Sequence, residues 1–361
     1  MRNSEKSGAI LNFALVGCGR ISRRHSELLG NNNIANARLA AVCDIVSEKA
    51  RFIGENFKVP YYTDMHEMLQ KENIDVIVIL TPSGNHAEHV LELAPYKKDI
   101  MVEKPMALTL EDADAMIRIC DENGVKLFVI KQNRFNVPVV KLREAVEKKR
   151  FGKLVLGTVR VRWCRTQEYY DQDAWRGTWA YDGGVLTNQA SHHIDLLEWM
   201  MGDVESVFAK STTALVNIET EDTAIAILKF RNGSLGIVEA TTAVRPVDLE
   251  GSISILGEKG SVVIGGFAVN QMQVWNFVEK EKDDEEVLKK YSVNPPNVYG
   301  YGHHEYYEHV VDCILNQKMA LVDGIQGKKS LELIMAFYES IETGKEVFLR
   351  FHPQKCRLGI R

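Results

Sequence analysis

No two of the six cysteines stand at the C-x-x-C interval of a redox or zinc motif. Cys18, Cys43, Cys120, Cys164, Cys313 and Cys356 are scattered over 361 residues, with no Cys/His cluster at metal spacing. The expectation is reduced thiols and no metal. Long apolar runs are missing too. Stretches such as residues 76–80 are strand-sized and far short of a membrane span. The opening residues lack the charged, apolar, small-residue order of a secretory signal, so a soluble cytoplasmic protein with no membrane partner is expected. Nor is there an excess of positive charge. A formal net charge of -5 argues against nucleic acid held by bulk charge. The chain shows no internal repeat and no low-complexity linker, and the acidic run 279–286 reads as a solvated loop.

What is present changes grammar near residue 133. Up to there, short apolar runs at 13–16, 39–43, 76–80, 100–103 and 126–131 alternate with helical patterns at 20–29, 47–55, 64–71, 85–93 and 110–123, the last ending on Gly124. The β-branched run at 76–80 marks a parallel strand buried on both faces. Such alternation predicts an α/β unit, a doubly wound parallel sheet, over 1–133. From 134 to 361 a helix at 138–149 leads into strands at 154–165, 204–214, 223–230, 234–242, 251–256, 261–264 and 272–277. Asn232-Gly233 signals a hairpin, and 257–260 a tight turn. Helices are expected at 187–201, 305–316 and 328–343. This part reads as an α+β domain with a large, mostly antiparallel open sheet of about six strands. Its exposed face needs covering, so a homodimer or tetramer is expected.

Gly17-Cys18-Gly19-Arg20-Ile21-Ser22 follows the first strand and opens the first helix. It matches G-x-G-x-x-G with Ser in the third place. The first glycine serves the tight turn, the second lets backbone approach a pyrophosphate, and the third position needs only a small side chain. The helix N-terminus then offers free N–H groups to phosphates. Asp44 ends the second strand, 27 residues after Gly17 because residues 31–36 look like a loop insertion. A carboxylate there accepts from ribose hydroxyls and repels a 2′-phosphate, which favours NAD over NADP.

Glu103-Lys104-Pro105 follows an apolar strand at the sheet edge where α/β folds bind ligands. A lysine there is partly desolvated, which lowers its pKa and suits it to proton transfer. A surface salt bridge fits these residues equally well. The second candidate segment runs from Gly183-Gly184 through Asn188 to His192 and Asp195. At helical spacing the last three share one face, with polar neighbours to set the tautomer of His192. The alternative is a structural histidine satisfied by Asp195. Arg165, Gln167, Tyr169 and Lys131 are candidates for binding an anionic substrate. Arg160 and Arg162 share a strand face that reads as a subunit interface.

Together these motifs resemble the glucose-fructose oxidoreductase/inositol dehydrogenase/MocA family. The similarity runs over nearly the whole chain, including Val322-Asp323-Gly324 and Thr343-Gly344-Lys345. It implies a Rossmann domain followed by an open-sheet domain, with NAD taking a hydride from a cyclic polyol or sugar. It also implies that Lys104 and His192 act at the reacting hydroxyl. Cofactor contacts would come from Gly17, Gly19, Arg20, Ile21, Asp44, Thr81, Pro82, His86, Glu103, Lys104, Gln132, Arg134, Trp175 and Arg176. Substrate contacts would come from Lys104, Lys131, Asn133, Arg165, Gln167, Tyr169, Asn188 and His192. Many relatives have Asp where this chain has Asn188. Segments 131–134, 167–170, 175–179 and 188–192 are most similar to bacterial UDP-N-acetylglucosaminuronate 3-dehydrogenases of surface-polysaccharide synthesis. A nucleotide-sugar substrate is therefore expected; the alternatives are a dehydrogenase of a free sugar or inositol and, in another class, a non-catalytic NAD-binding regulator, whose signature would be loss of Lys104 or His192.

Overall fold

The structure is a computed structural model and describes residues 9–292 and 302–349. Cys356 lies outside them, and the other five cysteines are unbridged.

Short apolar runs bounded by turns build the first sheet. Its strands are β1 (Leu11–Val16), β2 (Ala37–Cys43), β3 (Tyr61–Tyr62), β4 (Val76–Ile79), β5 (Asp99–Val102) and β6 (Leu127–Val129). All pair in parallel, in the order β3-β2-β1-β4-β5-β6. The crossovers carry α1 (Ser22–Gly30), α2 (Ser47–Phe57), α3 (Met65–Lys71), α4 (His86–Leu93) and α5 (Leu110–Asn123). This is the Rossmann order. It reverses between β1 and β4, which opens a crevice at their carboxyl ends. The helices begin and stop where their caps dictate. Asp64 accepts from the Glu67 amide of α3 (2.8 Å), and Thr109 from the Asp112 amide of α5 (3.1 Å). Gly124 ends α5 in the left-handed region, at φ 66°.

The second sheet, among the described residues, has eight strands rather than the six or so expected. They are β7 (Leu154–Arg162), β8 (Val204–Thr212), β9 (Thr223–Phe230), β10 (Leu235–Thr241), β11 (Glu250–Gly257), β12 (Gly260–Gly265), β13 (Gln271–Phe277) and β14 (Val347–Phe348). Their order is β13-β12-β11-β7-β10-β9-β8-β14, with only β7 and β10 parallel. Two-residue strands such as β3 and β14 are too short to leave a periodic signal. The Asn232-Gly233 turn joins β9 to β10 as expected, with Gly233 at φ 86°.

Helices α6 (Val137–Glu147), α7 (Gln167–Tyr170), α8 (Ser191–Met201), α9 (Asp284–Lys290), α10 (Gly302–Leu315) and α11 (Gly324–Thr343) accompany this sheet. One face of the sheet meets α8 and α11 in the larger core. The other leaves Phe208, Ile225, Ile227, Leu235 and Ile237 exposed. On that face Arg160 and Arg162 pair with Glu239 and Glu250. The acidic run is not wholly a loop, because α9 begins inside it. There Asp284 takes a forked pair from Arg150 (2.9 and 2.7 Å) and a bond from the Trp275 indole (2.7 Å).

Helix α10 returns to the first sheet. Tyr306, Tyr307, Val310, Val311 and Cys313 lie in one cluster with Phe13, Leu15, Phe128 and Ile130. Among the described residues no helix is long and apolar enough to cross a membrane.

Candidate active site

The first turn is tight for a steric reason. Gly17 sits at φ 98°, and a Cβ there would come within 2.8 Å of the Leu80 backbone. A Cβ on Gly19 would meet nothing within 4 Å, so that backbone stays open to a ligand. Ser22 fills the third position, 1% exposed, with its hydroxyl donating to the Gly19 carbonyl at 2.5 Å. Asp44 braces the same turn. Its two oxygens accept from the amides of Cys18 (2.7 Å) and Val46 (2.8 Å), a role its position alone did not reveal.

The turn opens into a cavity of about 1100 Å³ that runs on to the second sheet. Gly17, Gly19, Arg20, Ile21 and Asp44 line one end. Thr81, Pro82, His86, Glu103, Lys104 and Gln132 follow along the strand ends. Arg165, Tyr169, Trp175, Arg176, Asn188 and His192 come from the second domain. The loop after α7 reaches across to the first domain, where the Gly84 amide donates to the Tyr181 carbonyl (3.1 Å) and Arg20 to Gln172.

Lys104 follows directly on Glu103, a buried carboxylate. Glu103 Oε2 accepts from the Lys104 backbone amide (2.9 Å), and its Oε1 lies 3.1 Å from His25 Nε2 and 3.8 Å from His303 Nε2. Burial pushes this carboxyl up, but the two histidines outweigh burial and hold it well below the usual carboxylate range. His25 in turn bonds the Tyr307 hydroxyl at 2.7 Å. On this footing the Lys104 ammonium donates to the Asn188 carbonyl (2.7 Å) and to Asn188 Oδ1 (3.3 Å). Burial lowers the Lys104 pKa, against the opposing pull of Glu103 and Asp182.

His192 stands on the first turn of α8. That helix starts at Ser191 rather than 187, because 187–190 is spent on a turn in which the Asn188 amide donates to Gly184 (2.9 Å). Asn188 therefore lies ahead of the helix and does not share a face with His192 and Asp195. Asp195 does not set the imidazole either. It is consumed by a forked pair from Arg134 (2.8 Å each), with Lys131 3.8 Å away. The neighbour of His192 is Gln132, whose amide nitrogen lies 3.0 Å from Nε2, while the buried Nδ1 has no hydrogen-bond partner among the described residues. Burial first, then the charges of Lys104 and Lys131, hold the imidazole pKa well below its ordinary value.

Four residues expected at the ligand do not line the cavity. Arg134 is locked to Asp195 and stacked over Trp199 (4.8 Å). Lys131 donates to Ser330 Oγ at 2.5 Å. Asn133 is buried in the 3-10 turn Gln132–Phe135. Gln167 donates to Asp171 (2.9 Å) and accepts from the Asn217 amide (2.7 Å). In each case a partner distant in sequence, or simple burial, takes the group away. Asp182, beside Gly183-Gly184, belongs to none of the predicted site residues. It lies directly behind Asn188, and an acid preceding a glycine pair is the only signal the sequence offered for it.

Comparison with known proteins places this architecture. A model of the oxidoreductase family's NAD-binding Rossmann fold matches residues 11–131, and a model of that family's C-terminal alpha/beta domain matches residues 143–349. The chain belongs to the GFO/IDH/MocA oxidoreductase family. As a member it is an NAD-dependent sugar oxidoreductase. This GFO/IDH/MocA protein is 30% identical over 354 residues to a myo-inositol 2-dehydrogenase of Thermotoga maritima, covering 89% of this chain and 96% of that one. It is similar to the WlbA dehydrogenase of Bordetella pertussis, solved with NADH and UDP-GlcNAcA. There the TM-score is 0.92 at 40% identity, over 96% of this chain and 100% of that one. The WlbA dehydrogenase of Chromobacterium violaceum, solved with the same two ligands, gives 0.91 at 41% identity over 97% and 99%.

Proposed function

We propose that this chain oxidises the C3 hydroxyl of a nucleotide sugar of the UDP-N-acetylglucosaminuronate type to the 3-keto sugar, in building bacterial surface polysaccharide. The observation that carries the reading is the convergence of Lys104 and His192 on the cavity that begins at the Gly17–Ser22 turn. Two further facts support the substrate class. The cavity exceeds the roughly 1,000 Å³ that bounds ordinary small-molecule pockets, which suits a dinucleotide beside a second large ligand. Arg165 and Arg176 line it, and each has guanidinium hydrogens left over for a diphosphate or carboxylate after pairing with Asp248 and Asp173. The two dehydrogenases solved with UDP-GlcNAcA add weight.

NAD fits the first half of the site, with open backbone at Gly19 and the Asp44 carboxylate at the end of β2. Bound there, it supplies the acceptor for the hydride leaving the sugar carbon. The protein's part is the proton. Lys104 has two of its three N–H valences fixed on Asn188, so the third is free for the reacting hydroxyl. Burial and the charges of Lys104 and Lys131 favour the neutral imidazole of His192. The hydroxyl proton passes to this pair, which titrates as one coupled unit.

The second reading is a dehydrogenase of a free polyol, favoured by the likeness to the inositol enzyme. An anaerobic assay with NAD separates the two. Reduced nicotinamide forming with UDP-N-acetylglucosaminuronate but not with myo-inositol supports the first, and the reverse pattern overturns it. We also propose that a second copy of this chain covers the open face around Ile227 and Ile237.

A further inference from the structure

Asp182 is 1% exposed and does not line the cavity, yet its carboxylate bonds the cavity residue Asn188 and the residue next to Arg176. Its Oδ2 accepts from the Gly177 amide at 2.9 Å, in the loop that carries Trp175 and Arg176. Its Oδ1 accepts from the side-chain nitrogen of Asn188. A carboxylate can only accept, so this contact fixes which way the Asn188 amide points. The nitrogen faces Asp182, and the oxygen must face the other way, where Lys104 Nζ lies 3.3 Å off. An unanchored amide could turn its NH₂ on the ammonium and push it out of place.

We propose that Asp182 is a positioning residue for the Lys104 ammonium, acting through the side-chain amide of Asn188. The proposal rests on the reading of Lys104 as part of the proton-handling pair. Asp182 sits one residue removed from the lysine, so it supplies orientation and a nearby negative charge without capturing the ammonium in a direct ion pair. A direct pair would hold the ammonium against the carboxylate and compete with the substrate hydroxyl. The charged and titratable groups around Asp182 are Lys104, Arg176, Tyr170 and Glu221. Of these only Lys104 shares a hydrogen-bonding intermediary with it.

The test transposes the pair. Turnover with NAD and the sugar selected by the assay above is measured across pH for the wild type, Asp182→Asn, Asn188→Asp and the double variant. Melting curves confirm folding, and NAD affinity is followed by fluorescence. Asp182→Asn loses the fixed acceptor, so kcat falls about tenfold to a hundredfold with NAD affinity unchanged. The pH limb assigned to Lys104 moves to lower pH, because an anion that favours the ammonium is gone. Asn188→Asp sets two carboxylates against each other and also loses rate. The double variant restores one donor facing one acceptor. It recovers most of the lost rate, with the limb displaced to higher pH because the carboxylate now touches the ammonium.

A double variant no faster than the slower single variant overturns the proposal, as does wild-type turnover and pH profile in Asp182→Asn. Should Asp182→Asn not fold, the double variant against Asn188→Asp decides alone. Lys104→Met serves as the reference. Full turnover there removes the reading of the site and this inference with it, whereas an inactive Lys104→Met beside an unaffected Asp182→Asn removes this inference only.

Discussion

The amide nitrogen of Gln132 faces Nε2 of His192 across 3.0 Å, the last turn of the Rossmann half meeting the first turn of α8. The amide can present either end. The contact therefore ties the tautomer of the imidazole to the way the Gln132 amide is turned. Gln132→Leu removes this control. Its turnover should fall about tenfold or more, while His192→Ala, which removes the imidazole itself, should lose about 10²–10⁴-fold. Steady-state kinetics with a parallel NAD titration checks both. Near-normal turnover in His192→Ala removes that residue from the mechanism.

Lys104→Ala should cost turnover on the same scale, about 10²–10⁴-fold, and leave NAD binding in place. A large loss of NAD affinity instead would make Lys104 a cofactor ligand and not a proton-handling group.

Asp44 combines two tasks, since its oxygens brace the Cys18 and Val46 amides while its place at the end of β2 suits it to a ribose. Asp44→Ala should therefore weaken NAD binding and narrow the preference over NADP by about tenfold each. Isothermal titration with both dinucleotides reads this out. An unchanged ratio of the two affinities would discount the ribose contact.

Glu221 lies under the Gly183-Gly184 turn, where a Cβ on Gly184 would overlap its carboxylate. Oε1 accepts from the Leu186 amide (2.9 Å) and the Tyr338 hydroxyl (3.1 Å), and burial raises its pKa to about 7. A raised carboxyl binds its proton more tightly folded than unfolded. Its contribution is whole below about pH 4.5 and is lost as pH rises toward 7, on the order of 3 kcal/mol. Glu221→Gln imitates the protonated form, so the wild type should melt progressively below the variant across that window. Parallel curves at pH 5 and pH 8 would refute the assignment.

Ile227, Ile237 and Phe208 form one row across three adjacent strands of the open sheet face. A charge in that row, Ile227→Glu, should dissociate the oligomer, seen as a drop in mass by light scattering at unchanged helix content. A wild type that is already monomeric would dispose of the self-association proposal.

The sequence was most legible where local chemistry decides structure. Helix α5 ends where the sequence predicts because Gly124 stops it, and β9 spans its predicted range because Thr223–Phe230 alternates cleanly up to an Asn-Gly turn. The Gly17–Ser22 turn was legible for the same reason. Much of the site depended on partners far along the chain. Lys131 and Arg134 looked like ligand-binding cations, and nothing near them announced that Asp195 would consume one and Ser330 the other. Asn188 kept helical spacing from His192 while the backbone spent 187–190 on a turn. Asp182 carries no motif, and its contact with Asn188 exists only in the folded chain.

Helix α10 has a consequence for how the protein is made. The residues that complete the face of the first sheet, Tyr306 to Cys313, are translated more than 170 residues after β6, so the emerging Rossmann half waits with Phe13 and Phe128 uncovered by them. Until then that part of the sheet face is covered only by its own domain's residues, such as Leu28, Leu29, Ala50 and Ile53, and transiently exposed apolar surface of this kind favours aggregation. A fragment cut after the last Rossmann strand would lack the α10 residues that pack against Phe13 and Phe128.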